Sequence, residues 1–129
     1  PAYFGCIVTD LDAERGIEES VVDIVIEKNV KRPCSSTKTY QTPVDNCPSL
    51  RCRITQSMAL ETDPEFVNVR RTVYLPLSPG NKRGDPIEVT YSYDDNGMMH
   101  ASFLEVYSGA KEETSLSDIE NDDDSINID

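Results

Sequence analysis

The chain has a single histidine, His100, and four cysteines, Cys6, Cys34, Cys47 and Cys52, none of them in a CxxC pair. Structural zinc sites draw on paired, closely spaced thiolates and imidazoles, so a zinc domain is not expected. There is no GxSxG nucleophile turn and no glycine-rich phosphate loop. The local signatures of serine hydrolases and nucleotide-binding enzymes are therefore missing. Bases are scarce: 12 Lys and Arg stand against 24 Asp and Glu, a formal net charge of −12. Nucleic acids and anionic membranes are held by basic patches, so neither is an expected partner. No apolar run approaches the ~18 residues of a membrane span. No basic-then-apolar leader opens the chain, and no N-x-S/T acceptor occurs. The thiols are therefore read as reduced, some buried as small apolar side chains, in a cytoplasmic protein. The chain begins at Pro1 rather than Met, and is read as a piece of a longer protein.

Against these absences, Leu, Ile, Val and Phe supply 30 of 129 residues, more than the ~20% typical of disordered chains. One domain with a modest core is expected. The charge is uneven: residues 117–129 hold six acids (Asp118, Glu120, Asp122, Asp123, Asp124, Asp129) and no base. This segment is read as an acidic, disordered tail or linker; a docking tail for a basic partner is the sharper alternative. Its DIENDDDSINID run lacks the Gly and Glu that a helix–loop–helix calcium site needs at positions six and twelve.

Period-two alternation dominates the rest. Ile87, Val89, Tyr91 and Tyr93 alternate with Glu88, Thr90 and Ser92; Met99, Ala101 and Phe103 alternate with His100, Ser102 and Leu104. Both runs read as half-buried strands. Between them lies Asp94-Asp95-Asn96-Gly97. Three oxygen-bearing side chains in a row fit a cation site, but an Asn-Gly pair between alternating runs is a strong hairpin signal. The turn is the preferred reading, with Asn96 and Gly97 accepting positive φ. Further strands are expected at residues 4–9, 21–27, 37–44, 50–56, 71–77 and 114–116, separated by turn-rich stretches. Eight short strands at near-regular spacing predict an all-β antiparallel sandwich. A helix over residues 11–20 is weakened by Gly16, so residues 10–20 are read as an acidic loop. His100, on a strand, reads as structural, and the Arg83-Gly84-Asp85 tripeptide as ordinary loop chemistry. No catalysis is expected of this chain.

Four segments in order carry a resemblance: Ile26-Glu27-Lys28-Asn29 with Pro33; Lys38-Thr39-Tyr40 with Val44-Asp45-Asn46; Arg51-Cys52-Arg53-Ile54-Thr55-Gln56; and Pro86-Ile87-Glu88-Val89-Thr90-Tyr91 through Asn96-Gly97 to Ser108-Gly109-Ala110-Lys111-Glu112. Together they resemble the substrate-binding β-domain of the 70-kDa heat-shock chaperones (DnaK-type), over residues 3–116. The resemblance implies an eight-stranded sandwich that clamps short, extended, apolar segments of unfolded proteins. Co-chaperones are implied partners, and ATP would belong to a separate upstream domain, with a helical lid downstream. No cofactor is implied in this chain. Residues 1–116 would form the peptide-binding domain and residues 117–129 the tail or linker.

The resemblance also implies site residues. Leu50 corresponds to the floor of the central pocket, with Cys52 on the same side of its strand. Tyr40 and Cys6 correspond to cleft-lining positions, and Ile87 begins the far wall. Pro43 falls on one side of the arch over the peptide, with Val8 or Thr9 near the other. Such a pocket needs apolar walls without unpaired polar groups. Several features depart from the family: the acidic segment at residues 10–20, a proline at the arch that cannot donate an N–H, and cysteines in place of larger aliphatics. If Cys6 faces Cys52, the cleft becomes redox-sensitive. No lid is legible after Leu116. The alternative reading is a non-catalytic sandwich that binds a folded partner through its acidic loop and tail.

Overall fold

Alternation from Ile87 to Phe103 forms the hairpin it predicts. In the computed structural model, residues 2–12 and 17–117 are described, with side chains described outside residues 9–12 and 17–19. Strands β6 (Pro86–Tyr93) and β7 (Met98–Glu105) bury every second residue. Their inward set, Ile87, Val89, Tyr91, Tyr93, Met99, Ala101 and Phe103, is almost wholly out of solvent.

Six further strands complete the fold: β1 (Tyr3–Asp12), β2 (Ile17–Ile26), β3 (Cys34–Gln41), β4 (Ser49–Ser57), β5 (Asn68–Pro76) and β8 (Lys111–Ser117). They form two four-stranded antiparallel sheets. One runs in the order β2-β1-β4-β5, the other β3-β6-β7-β8. One three-residue 3₁₀ turn, Pro64–Phe66, is the only helical element among the described residues. None of their helices is long and apolar enough to cross a membrane. The expected all-β sandwich of eight antiparallel strands is thus the observed architecture, and β8 runs one residue past the expected domain edge at 116.

Two expectations need correction. Residues 10–20 are not mainly a loop: β1 continues to Asp12, β2 begins at Ile17, and their backbones pair as Asp10↔Glu19 and Asp12↔Ile17. Acidic composition suggested a solvated loop. A hairpin already aligned by Ile7↔Val22 and Val8↔Val21 extends its ladder despite opposed like charges, which cost at most about 1 kcal/mol per pair. The second concerns the Asp94–Gly97 turn. Gly97 has φ 80°, but Asn96 is not among the positive-φ residues; the asparagines found there are Asn29 and Asn46. Asp94 N–H donates to Met98 O at 3.0 Å, closing a three-residue loop in which only Gly97 needs the left-handed conformation.

The sheets meet over a core with aromatic cross-contacts. Phe4 and Tyr93 pack edge-on at 5.8 Å, and Tyr91 and Phe103 at 6.3 Å. The Tyr91 hydroxyl donates across the sandwich to Gly5 O at 2.8 Å. Gly5 is required where it stands, because a Cβ there would lie 2.4 Å from Asp23 O on β2. On one flank, two arginines of β5 join the sheets. Arg70 donates to Gln56 Oε1 on β4 and to Ser117 O on β8; Arg71 donates to Thr114 Oγ1 and Ser115 O. Two of these bonds cap carbonyls of β8, those of Ser115 and Ser117, on a strand at the edge of its sheet, where open backbone groups invite pairing with another chain.

Candidate functional site

The residues singled out by the resemblance gather at one end of the sandwich. Tyr40, near the end of β3, pairs with Ile87 at the start of β6. Ile87 is 2% exposed and belongs to the core. Leu50 and Cys52 open β4 on its inward side, and with Val8 and Tyr40 they are half-buried against that core. Half-burial at an end of the sheets is what a groove lining requires: apolar surface reachable from outside. Thr9 is placed by its backbone opposite Ser20; its side chain lies outside the described residues.

A polar bridge spans this end. Tyr40 donates its hydroxyl to Asp23 Oδ2 at 2.5 Å, and Cys6 Sγ donates to the Tyr40 oxygen at 3.3 Å. Asp23 lies directly opposite Cys6 in the β1–β2 ladder. The bridge therefore ties β3 of one sheet to β1 and β2 of the other. Burial, then the neighbouring Cys6 and the bond to Asp23, push the Tyr40 phenol well above its ordinary range, so it stays a donor. Sequence reading missed Asp23, although a signal was present: it is the one charged residue within the apolar run Val21-Val22-Asp23-Ile24-Val25-Ile26.

Two of the thiols, Cys6 and Cys52, are held in the unreactive form. All four are unpaired. Burial raises Cys6 to about 11 and, with Cys6 nearby, Cys52 to about 12. Cys6 pairs with Ile54 across β1 and β4, which places Cys52, two residues away, on the same face at a diagonal. Both remain protonated at neutral pH, and the thiolate is the form that reacts.

Pro43 is exposed in the β3–β4 connection, residues 42–48, beside Val44 at 51% exposure. This arm is pinned at both ends onto the β5–β6 connection. At one end Thr42 N–H and Oγ1 donate to Asp85 O, and Gly84 N–H donates to Thr42 O. At the other, Cys47 N–H donates to Asn81 Oδ1 at 2.9 Å, while Asn81 Nδ2 donates to Cys47 O at 2.8 Å and to Ser78 O at 2.8 Å. Asn46 N–H donates to Asn81 O, and Arg83 N–H to Asp45 Oδ1. Asn81 is 2% exposed and mimics a strand partner for Cys47. Pro43 and Val44 thus sit on a short apolar arm held between two anchors. Nothing in the local sequence marked Asn81, since a turn asparagine reads alike buried or solvated.

The remaining motifs lie in turns and on the outer face of the second sheet. Asp85 Oδ2 accepts from Lys82 N–H, so the Arg83-Gly84-Asp85 carboxylate is spent inside its own turn. Asp94 Oδ1 accepts from Asn96 and Met98 N–H, and Oδ2 contacts His100 Nε2 at 3.0 Å. The His100 bond first, then the two backbone donors, hold the Asp94 carboxyl below its usual range. His100 Nδ1 contacts Ser115 Oγ at 2.7 Å. Ser115, His100 and Asp94 therefore form a hydrogen-bonded row on the outer face of the second sheet, tying the β6–β7 turn to β8. Among the described residues no group of three His, Cys, Asp or Glu could hold a metal ion.

No protein-family model matches the chain.

Proposed function

We propose that this chain is a peptide-binding β-sandwich of the chaperone kind, related to the substrate-binding domain of the 70-kDa heat-shock proteins. It holds short extended apolar segments of unfolded chains and performs no chemistry itself. The observation that carries this reading is the gathering of half-buried Val8, Tyr40, Leu50 and Cys52 at one sandwich end, beside the pinned arm bearing Pro43 and Val44. Extended peptides are held by backbone hydrogen bonds and selected by apolar pockets, and this end offers apolar side chains beside a fixed rim. The proposed setting is the cytoplasm, where unpaired thiols stay reduced. In a protein built like the family, ATP is handled by a separate domain, and co-chaperones act on the whole.

Fluorescence anisotropy with a labelled Leu-rich heptapeptide flanked by Lys tests the reading. Saturable binding that Leu50→Arg abolishes is expected, because a guanidinium in an apolar pocket lacks a partner. Absence of saturable binding, or binding indifferent to Leu50→Arg, refutes it.

A further inference from the structure

The row of Ser115, His100 and Asp94 lies apart from the candidate groove and has the parts that activate a hydroxyl. His100 and Ser115 stand on the outer face of the second sheet, whereas Leu50, Cys52 and Tyr40 pack toward the core between the sheets. The two outer residues are direct neighbours in the β7–β8 ladder. Glu105 N–H donates to Ala110 O at 2.9 Å. Counted from there in steps of two, Phe103–Glu112 and Ala101–Thr114 are the hydrogen-bonded pairs, and His100–Ser115 is a non-hydrogen-bonded one. Side chains stand closest in pairs of that kind, and His100 Nδ1 lies 2.7 Å from Ser115 Oγ.

The direction of each bond follows from the partners. Asp94 Oδ2 lies 3.0 Å from His100 Nε2, and an ionised carboxylate only accepts. In the neutral ring Nε2 therefore carries the proton and donates to Asp94, while Nδ1 accepts from the Ser115 hydroxyl. Asp94 is fixed in place, because its Oδ1 accepts from Asn96 and Met98 N–H at 2.8 and 3.0 Å. A nucleophile, a base and a third group that orients the base are what raise the reactivity of a serine, on whatever fold they occur. The backbone supplies a further part. In the non-hydrogen-bonded pair, Ser115 N–H and C=O both point away from β7, toward the free edge of the sheet. Arg71 Nη1 donates to Ser115 O there at 2.7 Å. The Ser115 N–H thus faces outward beside its own Oγ, as the nucleophile's N–H does in oxyanion holes. Ser115 is exposed, and the side chains of His100 and Asp94 are 45% and 37% exposed, so the row is reached directly from solvent.

We propose that Ser115 is a site of covalent acylation by activated acyl esters, with His100 as the base and Asp94 as the residue that positions it. Ser115 Oγ bonds to the acyl carbon as its proton passes to His100 Nδ1. The carbon–oxygen bond to the leaving group then breaks, and the departing oxygen takes the electron pair and the proton. Nothing is oxidised or reduced. The chain is the acceptor in this reaction, and the peptide-holding role of the other end is left as it is.

The test treats the full chain with p-nitrophenyl acetate and maps the acetylated positions over time by mass spectrometry. Acetyl-Ser115 is expected to form well ahead of acetyl groups on Ser35 and Ser49, exposed serines without an imidazole partner. His100→Gln should slow acetylation of Ser115 by about 100-fold, the lower end of what a positioned base contributes. Asp94→Asn still caps the turn through its amide oxygen but turns an N–H toward His100, which reverses the tautomer. It should slow the reaction by at least about 10-fold, and Asp94→Glu should restore part of the rate. Acetyl groups on lysines but none on Ser115 overturn the proposal. So does acetylation of Ser115 at an unchanged rate in His100→Gln, and an unchanged rate in Asp94→Asn overturns the positioning role of Asp94.

Discussion

The Tyr40 hydroxyl stands 2.5 Å from Asp23 Oδ2 and joins the two sheets at the end where the candidate groove lies. Removing the donor leaves a half-buried carboxylate without its partner. Hydrogen bonds to charged groups contribute about 1.5–3 kcal/mol, so Tyr40→Phe is expected to lower unfolding free energy by roughly that amount. Asp23→Asn should cost less, because an amide oxygen still accepts from the phenol. The double variant should recover part of the sum, and a urea-denaturation cycle reads the coupling. Strict additivity would mean that the bridge does not hold the sheets together.

Gly5 has a second, purely steric demand on the same strand pair. A methyl group there meets Asp23 O at 2.4 Å, and backbone cannot yield as a side-chain tip can. Overpacking of this kind typically costs about 1–3 kcal/mol. Gly5→Ala is expected at or above the upper end, since Gly5 O also receives the Tyr91 hydroxyl. Chemical denaturation checks it, and a loss below about 0.5 kcal/mol, within the range of ordinary surface changes, would show that β2 can move aside.

Acid should loosen the fold through two carboxylates. Asp94 is held below its ordinary value of 3.8 by His100 and two backbone donors. For Glu105, burial acts to raise the carboxyl, but the Ser108 hydroxyl and Ser78 N–H outweigh it and hold it below 4.5. A folded-state pKa below the unfolded one gives stability that is fully present above the unfolded value and lost as pH falls through the folded value. Stability measured by urea midpoint should therefore be flat above about pH 5.5 and fall below about pH 4. Asp94→Asn and Glu105→Gln should each flatten that fall. An unchanged acid limb in both variants would remove these groups from the account.

The sandwich was legible because β6 and β7 bury one face each, so polarity alternates residue by residue. The β1–β2 hairpin was under-read because its distal half, from Asp10 to Glu19, has no apolar alternation to announce it; pairing there is inherited from the proximal half. The resemblance, through the order of segments, singled out Leu50, Cys52 and Tyr40 as candidate site residues, whereas their half-burial is a property of where the strands end. Asp23 and Asn81 were hardest. Their roles depend on what stands across from them, Tyr40 and Cys47, which are 17 and 34 residues away.

Asn81 gives the sharpest link between a loop and the proposed activity. Its side chain satisfies both Cys47 N–H and Cys47 O inside a buried site. Asn81→Ala strips both partners, and each buried backbone group left unmet costs about 1–3 kcal/mol. A loss of about 2–5 kcal/mol is expected, concentrated in the connection that carries Pro43 and Val44. Hydrogen exchange at the Asn46 and Cys47 amides should accelerate well beyond that of Val89 or Phe103 in the core, because local opening follows local stability. A loosened arm should also shorten peptide residence, raising the dissociation rate more than it slows association. Exchange rising equally at Cys47 and Phe103 would show instead that Asn81 supports the whole fold rather than the arm.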